Sequence, residues 1–410
     1  MSRLAFNGGK PVRTKPFPPH PIIGDEEKRA VMDVLNSGHI SSFIASPGKH
    51  FLGGEKVQEL ERLFADYHKT TYAVVFNSAT AALHAAIVAT VQPGKEIITT
   101  PYTFTSTATC AFMNNAVPVF VDVCPDTFNI NPDKIVFSMS PLVEAIIPVH
   151  LFGNPANMDR IVPFAKRYGL KVIEDCAQAP GAKYRGKRVG TIGDCGIFSL
   201  TESKNIMSGE GGVLITDDSD IADIARLVRN HGEAVMAGRK REYKSQILGY
   251  NYRMTELAAA VGIEQFKKLD RINAERNKLA NYLTKNIKDI PGLTPPKVDK
   301  KDYHAYYGYG ILYDKPEMSR DVFLKLLEAE GIPLGGGYIK PLYYQPIFHD
   351  NKPFIFQHYK GNASYEKGLC PVAEKLYYDD LILTDIVRPP ATFDDMDNII
   401  EGLEKVAKSC

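Results

Sequence analysis

Gly196-Ile197-Phe198-Ser199-Leu200, followed by Lys204 and then by Ser208-Gly209-Glu210-Gly211-Gly212, is the stretch from which the rest of the chain is read. The apolar run has the length and composition of a buried strand. A lysine placed just beyond it reaches back into a pocket as an amine instead of standing in water. Upstream, Lys171-Val172-Ile173-Glu174-Asp175 is a second apolar run, closing on two carboxylates, and it delivers an acid to the carboxyl edge of the sheet. Working outward, runs of the same kind occupy residues 73–76, 96–100, 117–123, 145–149, 171–175, 196–200 and 213–216, with helical patterns between most of them. That alternation predicts one large α/β sheet of seven strands, mainly parallel.

Lysine and aspartate on neighbouring strand ends point to pyridoxal phosphate. A lysine amine forms a Schiff base with an aldehyde cofactor, and an aspartate facing the pyridine nitrogen keeps that ring protonated and electron-withdrawing. Singly, each residue has a plainer reading, as a solvated lysine and as a helix cap. A third element adds weight. Tyr72-Ala73-Val74-Val75-Phe76 breaks into Asn77-Ser78-Ala79-Thr80 and then an alanine-rich helical run, so free N–H groups and a positive helix end converge where an anion would sit. Without Lys204 and Asp175, an ordinary capped helix is the better reading of that segment.

In this order the segments resemble the DegT/DnrJ/EryC1/StrS family of pyridoxal-phosphate-dependent sugar aminotransferases, within the fold-type-I aminotransferase group. The marks are Gly8-Gly9-Lys10-Pro11-Val12-Arg13, Asn77 to Leu83, Thr100-Pro101-Tyr102-Thr103-Phe104, Val149-His150-Leu151-Phe152-Gly153, Glu174-Asp175-Cys176-Ala177-Gln178-Ala179, Phe198 to Asn205, Asn230-His231-Gly232 and Gly249-Tyr250-Asn251-Tyr252-Arg253-Met254. The resemblance implies that Lys204 carries the cofactor, that Asp175 partners the pyridine nitrogen and that Gln178 lies near the ring's phenolic oxygen. It implies Ser78, Ala79, Thr80 and Ser199 at the phosphate. Ala79 departs from the family's usual glycine, which requires an ordinary negative φ there or more reliance on Thr80. Phe104 is similar to the aromatic that stacks on the cofactor ring, a core aromatic being the other reading. Asn251 matches an asparagine that reaches the phosphate of the neighbouring subunit, which implies a homodimer with shared sites; a turn before a long helical run from residue 255 through 279 is its alternative. His150, His231 and His304 are left out of the catalytic set as packed core groups.

With 410 residues the chain exceeds one compact core, and a proline-rich break at Ile290-Pro291-Gly292-Leu293-Thr294-Pro295-Pro296 divides it. The expected parts are an amino-terminal arm and helices over 1–63, a large cofactor-binding domain over 64–290 and a smaller α+β domain over 291–410. The last opens with Tyr303-His304-Ala305-Tyr306-Tyr307-Gly308-Tyr309, alternating like a strand. It later holds Gly335-Gly336-Gly337-Tyr338, read either as a loop closing over a ring-shaped substrate or as a turn with its aromatics folded inward. Forty-nine basic residues against 48 acidic ones exclude a global attraction to nucleic acid or anionic membrane. The basic clusters Arg239-Lys240-Arg241 and Lys183 to Lys187 read as solvated loops. Six cysteines without Cys-x-x-Cys spacing read as reduced thiols and not as a metal site. The amino terminus lacks an apolar signal region, and a cytoplasmic enzyme is expected.

The reaction implied is transamination in two halves, with glutamate or glutamine as amino donor, a keto sugar (often nucleotide-linked) or keto-cyclitol as acceptor and Lys204 as the proton shuttle. A non-enzymatic relative of the same fold and another pyridoxal enzyme, such as a dehydratase, decarboxylase or aldolase, are the alternatives. The retained lysine weighs against the related dehydratases, which place histidine there.

Overall fold

The computed structural model describes residues 3–43, 50–233 and 244–409; the Arg239-Lys240-Arg241 cluster and Cys410 lie outside them. Tyr72–Phe76 (β1), Glu96–Thr99 (β2), Val117–Phe120 (β3), Val143–Ile146 (β4), Lys171–Asp175 (β5), Cys195–Ser199 (β6) and Gly212–Thr216 (β7) form one sheet in the order β1-β7-β6-β5-β4-β2-β3. Neighbours from β3 to β6 pair in parallel, whereas β7 runs antiparallel to both β6 and β1. The seven-stranded, mainly parallel sheet expected from the sequence is therefore present, with three strands shorter than read.

Asp25–Ser37 (α1), Glu55–His68 (α2), Ala79–Thr90 (α3), Ser106–Met113 (α4), Met158–Tyr168 (α5), Ser219–Arg229 (α6), Glu256–Lys267 (α7) and Leu269–Ile287 (α8) surround it. Because side chains alternate along a strand, successive residues serve opposite layers. Val75, Ile98, Val172 and Phe198 join Leu60, Phe64 and Ile263 on one face, while Val74, Ile97, Ile173 and Ile197 join Leu83, Ile87 and Ile221 on the other. Burial on both faces is why these strands read as continuous apolar runs.

The carboxy-terminal part is built on Leu293–Thr294 (β8), Tyr309–Tyr313 (β9), Gly335–Gly336 (β10) and Leu381–Thr384 (β11), an antiparallel sheet in the order β8-β9-β11-β10. Arg320–Ala329 (α9), the short Pro371–Lys375 (α10) and Phe393–Ala407 (α11) accompany it. Its core includes Ile311, Phe323, Ile382 and Leu403, and also Leu4 from the amino-terminal arm and Leu283 and Ile287 from α8. The arm is fastened there by Glu330, which accepts from the Ala5 N–H at 2.8 Å, while the Arg13 N–H donates to the Glu330 carbonyl at 3.0 Å.

Two elements differ from their sequence reading. The single helix expected over residues 255–279 is two helices meeting at Lys268, whose side chain pairs with Glu27 of α1 at 2.6 Å, and the second runs on to Ile287. The strand expected at Tyr303 to Tyr309 begins only at Tyr309, because Tyr306 adopts a left-handed φ of 48° that no strand accommodates.

Across the layers, Arg229 at the end of α6 is fully buried and pairs with Glu61 of α2 at 2.6 Å, also donating to the Val75 carbonyl. Removing one partner leaves a buried charge. Glu61→Leu is expected to cost about 3–5 kcal/mol in urea unfolding, and the Glu61→Leu/Arg229→Met pair to regain at least half of it. A single variant as stable as wild type would contradict this account.

Candidate active site

The reversal of β7 creates the site. Because β6 and β7 are antiparallel neighbours, residues 200–211 fold as a closed excursion, with the Leu200 N–H donating to Gly211 O and the Glu202 N–H to Gly209 O, both at 2.9 Å. Lys204 rides on it, its N–H bonded to the Thr201 carbonyl at 2.9 Å. The half-buried Lys204 side chain enters a cavity of about 350 Å³. Its Nζ lies over the face of Tyr307, 4.1 Å from the ring centre. His20, from the arm, places Nε2 3.3 Å from the Lys204 carbonyl; burial, aided by Arg388 and Arg276, pushes that imidazole down to about 4, so the neutral ring is the form present at neutral pH.

Asp175 ends β5 on the same cavity. Thr107 Oγ1 donates to its Oδ2 at 2.8 Å and the Ala177 N–H to its Oδ1 at 3.1 Å. Burial holds this carboxyl above the usual range, opposed by those two hydrogen bonds and by the more distant Lys204 and His150. Among the described residues no cation stands within ion-pair distance of it.

The first turn of α3 forms the third wall. Ser78 is the N-cap, its hydroxyl accepting from the Ala81 N–H at 3.1 Å, and the turn's other N–H groups open on the cavity beside Thr80. Ala79 takes an ordinary helical conformation, so the missing glycine costs nothing there. The glycine requirement falls instead on Gly212 of β7, where a Cβ would stand 2.4 Å from Ser78 and Ala79 backbone atoms. Ser199, opposite Gly212, completes this side.

Eight of the nine residues expected at the site line this one cavity: Ser78, Ala79, Thr80, Phe104, Asp175, Gln178, Ser199 and Lys204. Phe104 is 58% exposed, which rules out the core-aromatic reading. Gln178 is buried, with Oε1 accepting from the Phe152 N–H at 2.8 Å. Asn251 is exposed and lies away from the cavity lining, its Oδ1 held by Arg253 Nε at 2.9 Å. The sequence reading missed Tyr307 as a wall residue; the tyrosine-rich run flagged it only as a strand. Tyr338, Leu342 and Tyr343 turn inward, the first onto the cavity and the others into a core.

His150 is buried as expected, between the Ala156 N–H on Nδ1 at 2.9 Å and Glu174 on Nε2 at 3.0 Å. Glu174 also accepts from the N–H groups of Gly190, Ile192 and Gly193, and Cys176 lies beside the pair. Hydrogen bonds engage the imidazole and carboxylate of this trio, which braces the strand end that carries Asp175. His304 is likewise core: burial pushes it down to about 3, and its Nδ1 accepts from the Tyr306 N–H at 2.7 Å. His231 departs from the expected packing, being exposed at a left-handed turn.

An amine, a buried acid and the first turn of a helix meet at the carboxyl ends of a mainly parallel sheet, the arrangement of the aminotransferase fold. Residues 21–404 match the DegT/DnrJ/EryC1/StrS aminotransferase family, and the chain belongs to it. It is 34% identical, over 100% of its length and 98% of the relative's, to a putative L-glutamine:3-amino-2,3-dideoxy-scyllo-inosose aminotransferase of Streptoalloteichus tenebrarius. It is 33% identical to the GDP-perosamine synthase of Caulobacter vibrioides, over 94% of this chain and 96% of that one. The solved aminotransferase of Psychrobacter cryohalolentis superposes with a TM-score of 0.84 at 29% identity, covering 96% of this chain and 99% of that chain.

The buried, raised Asp175 has a thermodynamic consequence. A carboxyl raised above its unfolded value of 3.8 loses stability for the fold as pH climbs from that value through the folded one. Without cofactor, Asp175→Asn is expected to melt above wild type at pH 7, with the gap closing toward pH 4. Calorimetry showing a lower melting temperature for Asp175→Asn would contradict it.

Proposed function

We propose that the chain is a pyridoxal-phosphate-dependent aminotransferase that moves the amino group of glutamine or glutamate to the ketone of a cyclitol or sugar. The observation that carries this reading is the convergence of Lys204, Asp175 and the first turn of α3 on one cavity. The residues fit the cofactor. Among the described residues Asp175 has no cation at ion-pair distance, and a protonated pyridine nitrogen is one; the turn of α3 offers N–H groups to a phosphate.

Bound there, pyridoxal phosphate supplies an aldehyde and an electron-withdrawing ring. Lys204 would hold the aldehyde carbon, Asp175 the ring nitrogen, Gln178 the ring oxygen and Phe104 the ring face. Ser78, Ala79, Thr80 and Ser199 would hold the phosphate. The Lys204 amine acts as the base that removes the donor's α-proton and, in the reverse half, returns one to the product. Burial of Asp175 keeps water from competing for its carboxylate.

The names of the two relatives support a cyclitol or a nucleotide-linked sugar as acceptor and glutamine as one donor. The exposed Asn251, outside its own chain's cavity, supports a homodimer in which it serves the neighbouring site. The proposal keeps the division into 1–63, 64–290 and 291–410, with the qualification that Leu4 and the end of α8 pack in the carboxy-terminal core. Among the described residues no helix is long and apolar enough to cross a membrane; cytoplasmic placement belongs to the proposal.

Incubation with L-glutamine or L-glutamate and either a keto-cyclitol or a nucleotide-linked keto sugar, followed by detection of the aminated product, tests this function. One acceptor class is expected to turn over, and Lys204→Ala to lower kcat by about 10³-fold or more. Wild-type turnover by Lys204→Ala, or amination of neither class, would overturn it.

A further inference from the structure

Tyr338 reaches the site from the carboxy-terminal sheet. It follows Gly335-Gly336 of β10 and Gly337, whose φ of 66° turns the chain and whose N–H is pinned to the Leu381 carbonyl at 2.7 Å. The Tyr338 ring is held edge-on by Phe152, with centres 5.1 Å apart, and by Tyr102 at 6.1 Å. Four residues on, the Leu342 N–H donates to the Pro101 carbonyl at 2.9 Å, so the segment is docked on the loop that carries Phe104.

Hydrogen-bond accounting then fixes what its hydroxyl does. Gln178 Oε1 is taken by the Phe152 N–H, so the amide presents Nε2, and one of its two hydrogens goes to Tyr338 Oη at 2.9 Å. A phenol that accepts through oxygen still has its own proton to give. Both groups line the Lys204 cavity, so a second Nε2 hydrogen and the phenol proton remain as donors on the same side of it. Burial pushes the Tyr338 phenol up, aided by Tyr307 and Asp175 and opposed by Gln178, which keeps it a donor at neutral pH. The titratable groups facing it are Asp175, Tyr307 and Tyr102, with Lys204 in the same cavity.

We propose that Tyr338 and Gln178 form a two-donor subsite for an anionic ring oxygen, with Tyr338 both positioning the Gln178 amide and supplying the second hydrogen bond. The inference rests on the pyridoxal phosphate reading, since the phenolic oxygen of that ring is the anionic acceptor expected beside Gln178. It makes the carboxy-terminal sheet a contributor to the electronics of the site and not only a cover for it.

Tyr338→Phe keeps both ring contacts and removes only the hydroxyl, which is the donor toward the ring oxygen and the acceptor of Gln178 Nε2. The test reconstitutes the full chain with pyridoxal phosphate and titrates its visible absorption band against pH, with melting of the cofactor-free protein alongside. A phenolic oxygen that has lost a donor holds a nearby imine proton more tightly. The band's transition is therefore expected to move up by roughly one pH unit in Tyr338→Phe, the size of one hydrogen bond to a charged group, while the cofactor-free melting temperature stays within about 2 °C. Incorporation of 3-fluorotyrosine at position 338, a stronger donor of nearly the same size, is expected to move the transition down, and it decides the matter if Tyr338→Phe does not fold. A yellow protein whose transition is unmoved by either replacement would overturn the subsite. A wild-type protein that stays colourless would overturn the cofactor reading instead.

Discussion

A carboxylate buried with no cation beside it among the described residues is the constraint on which the rest of the site depends. Asp175 is held by one hydroxyl and one N–H at the end of β5, and isolated burial of this kind is costly for the ionised form. The fold surrounds it with supports that keep the strand end in place. The adjacent Glu174 points to the opposite layer, where three backbone N–H groups and His150 tie it down, so the pleat that buries Glu174 among donors also turns Asp175 toward the cavity. A carboxylate kept ready in this way is an incomplete ion pair until a ligand supplies the positive half.

The second organising fact is the path of residues 303–308, which run against Lys183 and Gly153 before the chain enters the small sheet at Tyr309. Hydrogen bonds hold much of the backbone of this path. Tyr303 pairs with Lys183, the Ala305 N–H donates to Gly153 O at 2.9 Å, Asn205 donates to Ala305 O at 2.8 Å, Asn277 to His304 O at 2.8 Å and Arg276 to Tyr306 O at 2.7 Å. These bonds stabilise the left-handed Tyr306, and the turn there aims Tyr307 at Lys204. Asn205 adjoins Lys204 in sequence, so the lysine loop and residues 303–308 are positioned by a shared network. Lys204 is thereby located by contacts from both parts of the chain.

Much of this was legible in the sequence because it depends on local pattern. Continuous apolar runs located the seven strands, and the small polar break after Phe76 located the helix start. Lys204, Asp175, Gln178, Ser78 and Phe104 followed from strand ends and motif order. What the sequence could not disclose was non-local. Tyr338 becomes a site residue only because Gly337 bends the chain and Leu381 catches its N–H, and Tyr307 only because Arg276 holds the preceding carbonyl. Leu4 joins the far carboxy-terminal core next to Ala5, whose N–H is held by Glu330, a pairing of residues 325 apart that no local signal marks. The tolerance of Ala79 is similar: the close approach that a glycine would serve is met across the sheet by Gly212.

The central claim is that Lys204 is the covalent anchor of a cofactor whose ring faces Asp175. Borohydride reduction of the protein reconstituted with pyridoxal phosphate, followed by digestion and mass spectrometry, tests it directly. The account predicts one stable phosphopyridoxyl addition, on the peptide containing Lys204 and at that residue. An addition confined to other lysines, or none on a protein that is folded and exposed to excess cofactor, would contradict it.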